Sequence, residues 1–233
     1  MRAHHVATRA GIGFPIAFSI VVLVTSACEG PGAKVVRTPP AATGSVSPSA
    51  LRSPSDFAAI ADRDQRSRAL FLEATRVMFH PRCINCHPSD DSPRQGDLGM
   101  MHDPPVVRGS EDKGAPGMEC TSCHQDANLP LARVPGAPKW HLAPKEMAWV
   151  GRTPASLCAQ LKNPATNGGK TLAQIVDHTA HDPLVAWGWT PGADRVPAPG
   201  TQAQFGALVA AWADTGAVCP KEGQKAGVEG GTP

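Results

Sequence analysis

Cys83-Ile84-Asn85-Cys86-His87 and Cys120-Thr121-Ser122-Cys123-His124 are the two stretches from which the rest of the chain is read. In each, two cysteines stand three positions apart and a histidine follows directly. Two thiols so spaced can add to the two vinyl groups on one edge of a porphyrin, and the next side chain then lies over the ring, where its imidazole can bind iron. This is the C-x-x-C-H attachment signature of c-type haem. It makes Cys83, Cys86, Cys120 and Cys123 the expected thioether carriers, His87 and His124 the proximal ligands, and two covalently bound haem c groups the expected cofactors. A four-cysteine zinc site does not call for a histidine after both pairs. A redox-active C-x-x-C belongs near a βαβ pattern, and no such pattern is present. A disulfide within each pair leaves the histidines unexplained.

Outward from these motifs the chain is loop-rich. Pro88, Pro93, Pro104, Pro105, Pro116, Pro130, Pro135, Pro138 and Pro144 interrupt any long periodic run between them and Met147. The 233 residues include 23 glycines and 24 prolines but no tyrosine, and aromatics make up 5%. A large aromatic core is thereby excluded, and burial of a flat apolar cofactor would take its place. Helical periodicity lies on either side. Ser55 to Phe79 carries Phe57, Ile60, Leu70, Phe71, Ala74, Val77 and Met78 at three-and-four spacing, and Pro81 stops it. Thr153-Pro154 opens a short helix to Leu161, Thr171 to His178 a second and Thr201 to Asp214 a third. No strand pair is evident. The expected fold is mostly α with extensive loops and little or no β-sheet, a compact dihaem cytochrome c.

The ligands opposite His87 and His124 are less determined. His102 lies 15 residues after His87, and His141 lies 17 after His124. Each can return over a haem, and these two are the expected distal ligands. His181, His80, Met100 and Met101 are alternatives; His178 shares the helix end with His181. Bis-histidine ligation would close the iron to substrates, and methionine would raise its potential. Cys158 and Cys219 remain, and an oxidising compartment favours a disulfide between them over a role as haem ligand. Gly168-Gly169-Lys170-Thr171 has a proline, Pro164, where a phosphate-binding loop needs its first glycine, and no strand precedes it. Trp187-Gly188-Trp189 reads as packing sooner than as a docking surface.

The N-terminus reads as an export signal over residues 1–27. Arg2 and Arg9 precede an apolar stretch of 14 residues, Gly11 to Val24, which is short for a membrane span of about 20. Thr25-Ser26-Ala27-Cys28 resembles a bacterial lipobox, with Thr25 where leucine is usual. Lipidation of Cys28 would tie the protein to a membrane; ordinary cleavage near Ala27 would leave Cys28 a spare thiol. Residues 28–54 are rich in Pro, Ser, Ala, Thr and Gly and read as a disordered tether. Residues 55–220 form the expected dihaem domain and 221–233 a flexible tail. Without the leader the chain carries 20 basic and 20 acidic residues, a neutral balance that speaks against nucleic acid as a partner. The location expected is the periplasm.

From about Phe79 to Pro220 the chain resembles small bacterial dihaem c-type cytochromes associated with periplasmic molybdenum hydroxylases of the xanthine oxidase type (isoquinoline 1-oxidoreductase or aldehyde dehydrogenase). The resemblance is carried by His80-Pro81-Arg82-Cys83-Ile84-Asn85-Cys86-His87-Pro88 and Met118-Glu119-Cys120-Thr121-Ser122-Cys123-His124-Gln125. It continues in Val134-Pro135-Gly136-Ala137-Pro138-Lys139-Trp140-His141-Leu142-Ala143-Pro144 and His181-Asp182-Pro183-Leu184-Val185-Ala186-Trp187-Gly188-Trp189. The first two stretches are specific to haem; the last two are more particular to this group. The resemblance implies a molybdenum hydroxylase as electron donor and the respiratory chain as terminal acceptor. The residues themselves imply an electron-transfer protein, since only 32 residues separate His87 from Cys120 and hold the two centres in one unit. The rival readings are a dihaem redox enzyme, peroxidase-like or thiosulfate-oxidising, with one open iron site, and a haem-bearing anchor or assembly factor.

Overall fold

The computed structural model describes residues 50–226. The leader 1–27, Cys28, most of the 28–54 tether and the end of the 221–233 tail lie outside them. Among the described residues no helix is long and apolar enough to cross a membrane. The folded part begins ahead of Ser55, because Leu51 is already in the core and Arg52 pairs with Glu73.

The chain is mostly helical, and each longer helix starts where its sequence supplies a cap. The first, α1 (Arg63–Met78), opens at Asp62, whose carboxylate accepts from the Gln65 N–H at 2.6 Å. The helix expected over Ser55 to Phe79 is therefore two pieces. A 3-10 turn over Pro54–Phe57 comes first, and the Asp62 cap restarts the chain, since a side chain that satisfies a free N–H ends the preceding segment. Two one-turn helices carry the cysteine motifs, α2 (Pro81–Ile84) and α3 (Cys120–Cys123). Thr153 caps α4 (Pro154–Lys162), with Pro154 at its first position, and the reciprocal Thr171–Gln174 pair caps α5 (Leu172–His181). Asp182 ends α5 and caps α6 (Pro183–Ala186); Thr201 caps α7 (Gln202–Asp214). The strand content is two antiparallel ladders of two residues each, β1 (Arg94–Gln95) with β2 (Met100–Met101) and β3 (Gly114–Ala115) with β4 (Met118–Glu119).

The core lies where α1, α4, α5 and α7 meet. Leu70, Phe71, Val77 and Met78 of α1 pack with Leu157 of α4, Ile175 of α5, and Leu208, Val209 and Trp212 of α7. The Phe71 and Trp212 rings are 4.8 Å apart. Each such side chain, fully buried, is worth about 1.5–3 kcal/mol. Close approach of α5 and α7 depends on Gly206, where an added Cβ would lie 2.6 Å from the Ala180 Cβ. Cys158 on α4 and Cys219, just beyond α7, are joined by a disulfide across 61 residues. Glu73 is 2% exposed and is held by Arg52 and Arg76, both ion pairs on its carboxylate.

Candidate functional site

The two cysteine motifs fold alike. In the first, α2 starts at His80 and the following turn is closed by Cys86 N–H to the Cys83 carbonyl and His87 N–H to the Ile84 carbonyl, at 3.0 and 3.1 Å. In the second, His124 N–H donates to the Cys120 carbonyl at 2.9 Å. Each turn sets two thiols and an imidazole together at the end of one helical turn.

Both imidazoles are then fixed about two axes. Nδ1 of His87 lies 2.8 Å from the Met147 carbonyl, and Nδ1 of His124 lies 2.8 Å from the Pro135 carbonyl. A carbonyl only accepts, so Nδ1 is the protonated nitrogen and Nε2 keeps its lone pair. The faces are held by indoles: His87 stacks on Trp149 with centroids 3.5 Å apart, His124 on Trp140 at 4.5 Å. Such locking of a histidine by a carbonyl on its second nitrogen is the usual support for a metal-binding imidazole. The segment that supplies these supports is itself tied to the motifs. Trp149 N–H donates to the His87 carbonyl and Ala143 N–H to that of Cys86. Buried Arg108 clasps the Ala143 carbonyl and Asp112.

The Pro135 carbonyl owes its position to a tight crossing. A Cβ on Gly136 would stand 2.2 Å from the Ala127 carbonyl oxygen, so only glycine fits there. Its N–H donates to Asn128 Oδ1, which also accepts from Trp187 Nε1 at 3.0 Å. Trp187 is thus a packed residue, edge-on to Trp140.

Burial tunes the titrating groups. It pushes His87 down to about 4, with the Met147 bond acting against the shift. Burial likewise lowers His124. It pushes the Cys83 thiol up to about 12. The Cys86 thiol stands at about 11, raised by burial, eased by the Arg82 guanidinium and raised again by the nearby Cys120. The neutral thiol is the unreactive form towards disulfide exchange and zinc alike.

His87, Cys83 and Cys86 line a cleft with a cavity volume of about 150 Å³. Its walls are apolar, with Met78, Leu161, Ile175, Leu184 and Phe205 prominent. Around the second motif the apolar surface is open: Met118 just before it is 52% exposed, and Met100 and Met101, just before His102, are 60% and 58% exposed. Neutral imidazoles with Nε2 available, thiols beside them and unfilled apolar surface around both are a donor set and lining that suit haem c.

The other expected ligands fall into three groups. His102 stands beside His124, ring centroids 5.9 Å apart, with its Nδ1 on the Pro104 carbonyl at 2.8 Å. His141 lines the cleft of His87, and its Nδ1 faces the Lys139 carbonyl. His181 is 74% exposed and pairs with Asp177, and it does not line the cleft of His87. His80 spends Nδ1 on capping α2, accepting from Arg82 N–H. Met100 is exposed in β2, and the Met101 sulfur accepts from Arg94. The parts of Trp149, Met147 and Pro135 lie in a ring face and backbone carbonyls, for which the sequence carries no signal. His178, which the sequence places only at the helix end beside His181, shares the cleft with His87. Comparison of the chain with protein-family models, with curated proteins and with solved structures gives no match.

Proposed function

We propose that the chain is a periplasmic dihaem c-type cytochrome that carries single electrons, held near a membrane through lipidated Cys28. The observation that carries this reading is the duplicated arrangement of thiol pair, Nδ1-anchored imidazole and stacked indole. Haem, when bound, supplies one-electron exchange at its iron. The chain's own residues do the rest. Cys83 and Cys86, and likewise Cys120 and Cys123, would hold each haem by thioethers, every S–H adding across one vinyl double bond with the sulfur to one carbon and the proton to the other. His87 and His124 would bind the iron through Nε2. Burial of the first centre excludes water and, with Arg82 beside it, favours the reduced state. The 32 residues between His87 and Cys120 hold the two centres in one unit, which supports exchange between them.

The proposed donor is a periplasmic molybdenum hydroxylase and the acceptor a component of the respiratory chain, on the strength of the sequence resemblance. The test is production in a host competent for cytochrome c maturation. Intact mass should exceed that of the polypeptide by two haems, and a redox titration should resolve two one-electron steps. A colourless protein of unmodified mass would refute the reading.

A further inference from the structure

Two histidines other than the proximal one face the cleft of His87, namely His141 and His178. Their supports differ. His178 belongs to α5, one turn beyond Ile175 and next to Thr179; both neighbours are buried and line the same cleft, so His178 lies on the helix stripe that faces it. Its Nδ1 is 3.0 Å from Asp182 Oδ2. The other carboxylate oxygen of Asp182 accepts the Leu184 N–H at 2.8 Å, and its backbone carbonyl accepts from Gln202. The carboxylate is therefore fixed by α6 and α7, and it holds Nε2 of His178 as the available donor. His141, in contrast, is on a loop and rests its Nδ1 on the carbonyl of Lys139, two residues away and at φ +57°.

We propose that His178 is the sixth ligand of the iron held by His87, with Asp182 as its positioning residue. The proposal rests on the haem reading and deepens it. Both centres are then bis-histidine, His87 with His178 and His124 with His102, and they differ in what supports the distal ring. At His102 it is a neutral carbonyl; at His178 it is a carboxylate, which makes the imidazole a stronger donor. A stronger donor stabilises ferric iron and lowers the potential of that centre.

The experiment uses the full chain, matured with its haems. Mass first establishes two haems per chain in each variant; a wild-type chain without them refutes the haem reading itself, and this assignment with it. In the wild-type ferrous protein no haem should bind carbon monoxide. In His178→Ala one of the two should bind it, and half of the ferric haem should become high-spin by electron paramagnetic resonance. His141→Ala should leave both haems closed. Asp182→Asn keeps the acceptor for Leu184 and should raise the midpoint potential of one centre only. Should His178→Ala fail to mature, His178→Met retains a donor, and half of the ferric haem should acquire the thioether–iron charge-transfer band. Two haems that stay closed in His178→Ala, opening by His141→Ala instead, or an unmoved potential in Asp182→Asn overturns the assignment.

Discussion

Arg82 shows how a single charge is placed at the first centre. Its side chain is 1% exposed, next to Cys83, and its Nη2 binds the Gly96 carbonyl and Asp97 Oδ1 at 2.9 and 2.5 Å. Its Nε is buried without a partner, and the guanidinium lines the cleft. Burial lowers its pKa and Asp97 restores it in part, so the charge is retained. On the proposed haem reading, a cation beside the iron would oppose the ferric state. Arg82→Gln should therefore lower the midpoint potential of the Cys83–Cys86 centre. The shift should stay below the roughly 1.7 kcal/mol that a lone unit charge exerts across about 10 Å at an effective dielectric of about 20, because Asp97 offsets part of it. Spectroelectrochemical titration reads this directly, and an upward shift would sink the electrostatic account. None of this is legible from spacing. The sequence places an arginine next to Cys83, but that it is buried and pointed at the cleft depends on Gly96 and Asp97, which come back to it through β1 and its turn.

At the level of elements, α5 links the core to the site, and its seat against α7 is the sensitive point. Gly206→Ala would place a Cβ 2.8 Å from the Ala180 Cα, which no rotamer change relieves. Alanine adds up to about 1 kcal/mol of helix propensity, and forced separation of packed helices costs about 1–3 kcal/mol. The variant should lose about 1–2 kcal/mol in denaturant unfolding, and displacement of α5 should alter the absorption of one haem; a gain in stability would show that the helices have room. Removing the clasp between α4 and the chain after α7 is a separate matter. The chain-entropy model gives about 4 kcal/mol for a loop of this length, so Cys158→Ala with Cys219→Ala should cost about 2–4 kcal/mol while both haems remain attached. These helices were largely readable, because Thr-Pro, Thr-x-x-Gln and a terminal Pro are local signals. The two misreadings have local causes as well. Asp62 breaks the expected first helix by capping a new one, and α5 runs to His181 because Asp182 ends it there. That extra turn separates His178, one turn from buried Ile175, from His181, which follows exposed Asp177 by four.

For the whole molecule, the two centres should weigh unequally on stability. The first lies in a cleft whose walls come from α1, α5 and α7 and from Leu161 at the end of α4, the same helices that build the core. The second is flanked by exposed Met100, Met101 and Met118, and its supports are loops. On the proposed haem reading, a group at the first site would complete the interior, whereas one at the second would cover surface. By the roughly 24 cal/mol per Å³ found for residual cavities, the cleft's cavity of about 150 Å³, left unfilled, would be worth about 3–4 kcal/mol. The low aromatic content and many prolines in the sequence pointed to a cofactor in place of core, but not to which centre would occupy that role. That depends on α5 and α7 closing over Cys83–His87, a contact between segments some ninety residues apart. Cys83→Ala with Cys86→Ala should accordingly lower the melting temperature well below that of Cys120→Ala with Cys123→Ala, with amide protection lost across α1, α5 and α7. The second pair should lose protection only in the loops between Gly114 and Trp140. Equal losses from the two pairs would mean that the core stands independently of the cleft, and the cofactor would then have a functional role without a structural one.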